Sequence, residues 1–307
     1  GIKWFWDRNE ETTSKHIGEI AWAVRCYAIK HLSADDETIA FYADAMKRLR
    51  ISQQGLSDKN QIAMAQFDDP RLVESFVSLP PRLWDKAEAM SKSASAPRIT
   101  KKAQLLAQAA VAIEILMFAP MRLTNLQCLR LDEHISWQAG RMRINIPSQQ
   151  VKNDQALDFL LPASVSKRIK TYIDKWRMHF TSGHNPHLFP GRNGKPKDGT
   201  CLRRQIEQTL WNEAGIRLTP HQFRHAAAKI LLDAKPGHYE VVRKVLGHKS
   251  LTTTYSHYAG AETQAAISLY DDVIIQHRQR KAFDRGQNNR APEPPFMDPL
   301  QLYGGKR

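Results

Sequence analysis

Histidine, arginine and tyrosine side chains gather in the segment from Thr219 to Gly260. An arginine binds phosphate oxygens through a planar fork of N–H donors. A histidine transfers protons near neutral pH, and a phenol forms a covalent intermediate once its proton is removed. Phosphoryl transfer through a tyrosine nucleophile is one of few chemistries that need all three. The side chains in question are His221, Arg224, His225, His248, Tyr255 and Tyr258.

The local sequence predicts how these side chains are held. Thr219 and Pro220 form a typical helix start, with an N-cap hydroxyl followed by proline in the first turn. Positions 221, 224 and 225 then share one helix face. We expect a second, apolar stripe to be buried. It consists of Phe223, Ala227, Ile230 and Leu231.

Two further features concern the same segment. Gly247 suits the left-handed residue that ends a helix, so His248 is expected just past that end. Two histidines at i, i+4 are also compatible with zinc. No third ligand stands at a usual spacing and no glutamate follows His221, so zinc is the less favoured interpretation.

Charge and composition indicate a polyanionic partner. The chain has 307 residues, 42% of them hydrophobic, and a net charge of +14. Residues 1–97 carry 13 Lys and Arg against 14 Asp and Glu, whereas residues 98–307 carry 32 against 17. A basic half of this kind favours nucleic acid, and the alternative is a basic, solvated surface without a ligand.

No run of apolar residues is long enough to predict a membrane span. The most apolar stretch, 104–120, is interrupted by Gln108 and Glu114 and predicts a buried helix. The three cysteines are scattered and match neither a disulfide framework nor a zinc site. We therefore expect a protein of the reducing cytoplasm, with no membrane partner.

The pattern of apolar residues predicts a mainly α fold with a small antiparallel β-sheet, divided into two domains. Helices are expected in residues 1–90, the last of them over 71–90 with a break at Pro80-Pro81. Residues 91–101 read as a linker, and 102–285 as a second domain. That domain opens with an apolar helix over 102–118 and has strands at 141–147 and 157–162. A single helix is expected over 164–179, and 286–307 form a C-terminal tail.

The order of these residues resembles the tyrosine recombinases, the phage-integrase family. The motif His-x-x-Arg at 221–224 is followed by Leu-Gly-His at 246–248 and then by a tyrosine. Arg122 follows a buried apolar helix, as the first arginine of that family does. Lys152 lies between the two strands, as its hairpin lysine does. The resemblance covers roughly residues 98–280, and the N-terminal helices are similar in outline to the family's core-binding domain.

Two positions depart from the family's pattern. The family commonly has an acidic residue three positions after the first arginine, where this chain has Asn125. The usual spacing from the Leu-Gly-His histidine to the tyrosine falls on His257. Tyr258 lies one residue later, and its Tyr-Ala-Gly sequence matches a related pattern, so we favour Tyr258 as nucleophile. Tyr255 is interpreted as a packing aromatic on the same helix.

The resemblance implies a role for each member of the set. Tyr258 would attack the scissile phosphate and form a 3′-phosphotyrosyl intermediate, with Arg122 and Arg224 clamping the non-bridging oxygens. His221 would act as base or proton relay for the phenol. His248 would donate to the phosphate, and Lys152 would protonate the leaving 5′-oxygen. This chemistry implies neither a metal ion nor another cofactor.

The implied function is site-specific recombination of double-stranded DNA by a tetramer, with accessory DNA-bending proteins as further partners of a nucleoid-associated prokaryotic protein. The alternatives are a type IB topoisomerase-like enzyme and a non-cleaving DNA-binding protein on the same fold. The C-terminal tail is either disordered or docked on a neighbouring protomer. Basic residues expected at the DNA backbone are Lys47, Arg48, Arg50, Arg192, Lys195, Lys197, Arg203 and Arg204.

Overall fold

Helices dominate the structure, a computed structural model that describes residues 15–48, 55–92, 97–181, 183–258 and 263–288. Contacts between Cα atoms divide the chain into two compact units, Gly1–Gln61 and Ile62–Arg307. The helices are α1 (Lys15–His31), α2 (Asp36–Arg48), α3 (Asp58–Ala65), α4 (Pro70–Val77), α5 (Leu79–Lys92), α6 (Pro97–Phe118), α7 (Leu123–Gln127), α8 (Ala163–Thr171), α9 (Gly199–Ala214), α10 (Phe223–Ala234), α11 (Tyr239–Leu246), α12 (Leu251–Tyr258) and α13 (Thr263–Asn288). The strands are β1 (Ile135–Gln138), β2 (Arg141–Ile146) and β3 (Leu157–Leu160).

The first unit contains the antiparallel pair of helices α1 and α2, both predicted from their apolar spacing. Ala28 is buried in this pair. The entry to α2 is capped by Asp35, whose carboxylate accepts from the backbone N–H of Thr38 at 2.8 Å. The side-chain hydrogen bond with Thr38 and this backbone hydrogen bond together lower the pKa of the exposed Asp35 carboxyl.

The core of the second unit is built on α6, which confirms the predicted buried helix. Small and branched apolar residues line it on nearly every side, and almost all are fully buried. Its two polar interruptions each have a hydrogen-bond partner, although the buried Oε2 of Glu114 has none among the described residues. Gln108 Nε2 donates to the hydroxyl of Tyr172 at 3.0 Å, and Glu114 accepts from Arg168. Among the described residues no helix is both long and apolar enough to cross a membrane.

A three-stranded antiparallel sheet in the order β1-β2-β3 confirms the predicted hairpin of β2 and β3. Ile144 at the centre of β2 pairs with Ile135 on one side and Phe159 on the other. β1 was not predicted, because three of its four residues are exposed and show no alternation. The turn before β2 places Ala139 and Gly140 at positive φ, as a two-residue hairpin loop requires.

The boundary between the two units lies about thirty residues before the predicted one near residue 90. Phe76 packs between Phe67 and Phe223, with ring centroids 5.1 and 5.5 Å away, so α4 belongs to the same core as α10. Trp84 on α5 similarly meets Trp176, at 6.0 Å. Apolar spacing within α4 and α5 predicts helices but carries no information on their distant partners.

Two of the predicted helices differ in detail from those in the structure. The break expected at Pro80-Pro81 lies at Ser78, and both prolines occupy the first turn of α5, where a missing N–H costs little. The single helix expected over 164–179 is α-helical only as far as Thr171. The chain then continues as a π-helical turn over Tyr172–Trp176, and both of these aromatic side chains are buried in the core.

Replacing Phe76 tests the position of this boundary. Phe76→Ala should lower the free energy of unfolding of the second unit by ~3–5 kcal/mol, because it leaves a cavity between Phe67 and Phe223. Urea denaturation followed by tryptophan fluorescence measures it. Val77→Ala, at an exposed neighbouring position, should change the value by no more than about 0.5 kcal/mol. Equal, small effects of the two substitutions would place α4 outside this core.

Candidate active site

The predicted helix start at Thr219-Pro220 is confirmed, with one local difference. Its first turn is a 3₁₀ turn over Pro220–Gln222, closed by the N–H of Thr219 donating to Gln222 Oε1 at 2.9 Å. His221 therefore lies before α10, although its ring still meets that of His225 edge-on at 5.6 Å. The predicted apolar stripe is wrong beyond its first member. Phe223 is buried, but Ala227, Ile230 and Leu231 are only half-buried.

Arg224 is the buried centre of the site. Its guanidinium donates from Nη1 to the carbonyl of Pro120 at 2.7 Å and from Nη2 to the carbonyl of Leu246 at 2.5 Å. Only 5% of the residue is exposed. Burial and the nearby Arg122 lower its pKa to about 10. Arg224 thereby joins the loop that leads to Arg122 with the end of α11.

Arg122 precedes α7 and points toward the hairpin loop between β2 and β3. Its Nη1 donates to Asn153 Oδ1 at 3.2 Å. Asn153 in turn donates through Nδ2 to the carbonyl of Gly247 at 2.7 Å. Asn153 therefore connects the two parts of the site that lie far apart in sequence.

The turn after α11 presents His248 as predicted. Gly247 has a φ of 61°, the left-handed conformation expected of it. His248 Nδ1 lies 2.9 Å from the hydroxyl of Thr254, a fully buried residue on α12. This contact leaves the other ring nitrogen of His248 free to face a ligand.

Tyr258 closes the site from the end of α12. It is 2% exposed, and its hydroxyl lies 2.8 Å from His225 Nδ1. Burial raises the pKa of this phenol, and the charge of Arg224 opposes that rise. Tyr255 is 57% exposed and packs on Tyr239, with ring centroids 5.0 Å apart, in agreement with its interpretation as a packing aromatic.

The hydroxyl of Tyr258 meets a different histidine from the expected one. His221 was predicted as the base or relay for the phenol, whereas the hydrogen-bond partner in the structure is His225. The spacing of 221, 224 and 225 gave no means of choosing between two histidines on one face. The ring of His225 lies between the rings of His221 and Tyr258 and contacts both of them.

The electrostatics of this group favour an anion. Burial, together with the charges of neighbouring groups that include Arg224, lowers the pKa of His225 and of His248 to about 4. Burial and the two arginines also lower the pKa of His221. Within the described part of the chain, neither Arg122 nor Arg224 has a carboxylate partner. Nor does that part contain a group of three His, Cys, Asp or Glu side chains arranged to hold a metal ion.

Lys152 lies in the hairpin loop directly before Asn153, which contacts Arg122. It is exposed and lines a cleft of about 560 Å³ between α7 and the hairpin loop. Asn125, where the family pattern has an acidic residue, lies in the wall of this cleft. It is 8% exposed, and its Nδ2 has no hydrogen-bond partner among the described residues.

The residues expected at the DNA backbone fall into three groups. Arg192, Lys195 and Arg204 are exposed, and Arg203 is exposed but paired with Glu207 at 2.7 Å. Lys197 instead donates to Gln108 and Gln205, and burial lowers its pKa to about 8. In this structure Lys197 therefore ties its loop to α6 and α9 instead of facing solvent. Arg50 and the side chains of Lys47 and Arg48 lie outside the described residues.

Sequence reasoning passed over three polar residues of the site. His225 was noted on the polar face without a role, and Asn153 and Thr254 were not noted at all. Each forms a hydrogen bond with a residue elsewhere in the chain. His225 contacts Tyr258, Asn153 contacts Gly247, and Thr254 contacts His248. The only local signal was their proximity to a candidate, since Asn153 follows Lys152 and Thr254 precedes Tyr255.

Comparison with known proteins identifies a family. The sequence profile of the phage integrase family matches residues 88–265, more than half of the chain. The chain belongs to the phage integrase family. The match includes the whole set from Arg122 to Tyr258 and begins within α5.

Individual relatives of this phage integrase family member match over shorter stretches. The chain is 32% identical over 98 residues to a tyrosine recombinase of Agathobacter rectalis, covering 32% of this chain and 30% of the relative. It is 34% identical over 116 residues to tyrosine recombinase XerC of Brucella suis, covering 36% and 34%. The matched region thus spans about a third of the length of these curated relatives. A solved structure of the Tn1549 transposon integrase in complex with circular intermediate DNA is similar with a TM-score of 0.49 and 15% identity, covering 88% of this chain and 84% of that one.

The depressed imidazole pKa values predict a pH-dependent stability. In the unfolded chain His225 and His248 take up protons near pH ~6.5, whereas in the folded chain they do so only near pH 4. The unfolded state therefore binds more protons in this window, and the free energy of unfolding should fall as pH falls. Thermal melts between about pH 7 and 5.5, above the range of most carboxyl groups, measure the slope.

The double variant His225→Gln, His248→Gln should flatten this slope. His238→Gln, at an exposed position outside the site, serves as the matched control and should leave the slope as it is. A slope that is identical in all three proteins would show that the two imidazoles are not held neutral by the fold.

Proposed function

We propose that this protein is a site-specific DNA recombinase that cuts and rejoins duplex DNA through a phosphotyrosine bond. The observation that carries the proposal is the placement of the Tyr258 hydroxyl. It is buried 2.8 Å from His225 Nδ1 and close to the guanidinium of Arg224, and within the described residues neither Arg224 nor Arg122 is paired with a carboxylate. A phosphodiester would supply a negative charge to these two guanidinium groups.

Phosphate binding falls to the two arginines. Arg224 has five N–H donors and commits two of them to the carbonyls of Pro120 and Leu246. The remaining donors are available to non-bridging oxygens, and the carbonyls fix the guanidinium in place before the substrate arrives. Arg122 adds a second guanidinium. Donors fixed in this way stabilise the charge that develops on the pentacoordinate phosphorus.

Attack by Tyr258 forms a bond between its oxygen and phosphorus and breaks the bond from phosphorus to the 5′-oxygen. The phenol proton passes to His225 Nδ1, which already lies 2.8 Å from the hydroxyl, with Nδ1 unprotonated in the reactive tautomer. His221, the residue first predicted for this step, lies beside the ring of His225 and is proposed as the onward relay. The depressed pKa of His225 keeps the imidazole neutral before substrate binds, and the negative charge of the bound phosphate would raise that pKa and so favour the proton transfer.

The leaving 5′-oxygen receives a proton from Lys152, whose exposed side chain lines the cleft beside α7. His248 donates to a phosphate oxygen from Nε2. This requires its Nδ1 to accept from the hydroxyl of Thr254. The phosphotyrosine bond retains the energy of the phosphodiester, so that a 5′-hydroxyl from a second duplex reverses the reaction on a new strand.

Exchange between two duplexes requires four cleavages, and each chain carries one nucleophile. We therefore propose a tetramer on DNA, with a mobile element as the biological setting. Exposed Arg192, Lys195 and Arg204 are the proposed contacts to the DNA backbone. We also propose DNA-backbone contacts for Lys47, Arg48 and Arg50 in the N-terminal segment.

A nicked suicide substrate tests the cleavage step. Wild-type protein incubated with such a duplex should form a protein–DNA adduct that survives SDS, because the released fragment cannot return to religate the phosphotyrosine. Tyr258→Phe should abolish the adduct, since it removes the nucleophilic oxygen and retains the ring. Tyr255→Phe is the matched control on the same helix and should retain the adduct.

The opposite pattern, loss of the adduct only in Tyr255→Phe, would reassign the nucleophile. No adduct from any of the three proteins on cognate DNA would favour a non-cleaving DNA-binding protein. Relaxation of supercoiled DNA without strand transfer would favour the topoisomerase-like alternative.

Thr254→Val tests the orientation of His248. The substitution keeps the shape of the buried side chain and removes the hydroxyl that lies 2.9 Å from Nδ1. The cleavage rate should fall roughly tenfold to a hundredfold, because His248 loses the partner that fixes its tautomer. Single-turnover cleavage assays measure it. Thr252→Val, at an exposed position of the same helix, should cleave at the wild-type rate, and an equal loss in both variants would contradict the assignment.

A further inference from the structure

The hairpin loop between β2 and β3 is tied to the rest of the site through one amide. Asn153 accepts from Arg122 Nη1 at 3.2 Å and donates to the carbonyl of Gly247 at 2.7 Å, while its own backbone directly follows Lys152. Lys152 itself is exposed and reaches the cleft from this loop. Lys152, the proposed general acid, is thus adjacent in sequence to the residue that makes both of these contacts.

The chemistry of the side chain suits this junction. A guanidinium N–H requires an acceptor and a backbone carbonyl requires a donor, and a carboxamide presents both at one end. An aspartate at this position would lack the donor and would neutralise Arg122. An alanine would provide neither group. Both contacts are half-buried, where hydrogen bonds are less exposed to competition from water.

Two weaker contacts join the same surfaces. Lys249 lies 3.4 Å from the carboxylate of Asp154, in an exposed pair that contributes little by itself. Leu157 packs so close to Gly247 that a Cβ there would lie 3.1 Å from its Cδ2. The loop and the start of β3 therefore meet the turn that carries His248 at three places, and Asn153 is the contact that also reaches Arg122.

We propose that Asn153 is a positioning residue that holds Lys152 in register with Arg122 and the His248 turn. This inference rests on the proposed function, because it assigns Asn153 a part in protonation of the leaving 5′-oxygen. Displacement of a catalytic group by about 1 Å can slow a reaction by ~100-fold. Release of the loop from Gly247 removes the contact that prevents such a displacement.

A DNA substrate with sulfur in place of the bridging 5′-oxygen at the scissile phosphate provides the test. A thiolate leaves without a proton, so a defect confined to general acid catalysis disappears on this substrate. Asn153→Ala should cleave the normal oxygen substrate ~10–100-fold more slowly than wild type and the sulfur substrate at close to the wild-type rate. Lys152→Ala should behave in the same way, and the double variant should be no slower than Lys152→Ala alone.

Two further variants serve as controls for this experiment. Gln155→Ala alters an exposed side chain of the same loop that donates only to the neighbouring backbone carbonyl of Asp154, and it should cleave both substrates normally. Arg122→Ala should be slow on both substrates, because the phosphate clamp is needed with either leaving group. Asn153→Ser, which keeps one hydrogen-bonding group, is the second variant should Asn153→Ala unfold in thermal melts.

Wild-type rates on both substrates for folded Asn153→Ala would overturn the proposal. So would equally slow cleavage of both substrates by a folded variant, because Asn153 would then act through Arg122 and not through Lys152. Failure of the proposed function itself is distinct, since wild-type protein would then cleave neither substrate.

Discussion

The site depends on one buried interaction, the donation of two N–H groups of Arg224 to the carbonyls of Pro120 and Leu246. Burial of a guanidinium is costly unless its donors are satisfied. The two carbonyls satisfy part of this requirement without neutralising the charge. They also belong to the segments that immediately precede Arg122 and His248. A single side chain therefore fixes the relative position of both halves of the site.

The consequence is a preorganised cationic site, in which burial and the charge of the arginines shift the pKa values of the neighbouring histidines and of Tyr258. His225 and His248 remain neutral because burial and the neighbouring cations depress the pKa of each imidazole. Tyr258 is buried with its hydroxyl on His225, and its raised pKa keeps the phenol protonated before substrate arrives. In the proposed reaction, binding of a phosphate would supply the missing charge, so that the substrate itself creates the conditions that suit attack.

The sequence was most informative where the relevant signal is local. The buried helix α6, the hairpin of β2 and β3, the left-handed Gly247 and the packing role of Tyr255 follow from apolar spacing, turn chemistry or a motif. The assignments of Arg122, Lys152 and Tyr258 required a resemblance, because spacing alone gives each residue a surface role as readily as a catalytic one.

The parts that could not be predicted depend on contacts between distant residues. The boundary between the two units follows from Phe76 meeting Phe223. The phenol of Tyr258 contacts His225 and not the predicted His221, and this choice depends on where the end of α12 lies in space. The hydrogen bond from Asn153 to Gly247 joins residues that are far apart in sequence. No periodicity within a single element carries that information. Asn125 is a different case, because its departure from the family pattern is visible in the sequence, while its burial without a partner for Nδ2 is not.

The most direct test of this account is a crystal structure of the protein with cleaved duplex DNA and orthovanadate, which reproduces the geometry of a pentacoordinate phosphorus. The account predicts vanadium bonded to the oxygen of Tyr258, with its equatorial oxygens within hydrogen-bonding distance of Arg122 and Arg224. Vanadate bound away from the two guanidinium groups, or bonded to Tyr255 while Tyr258 remains on His225, would contradict it.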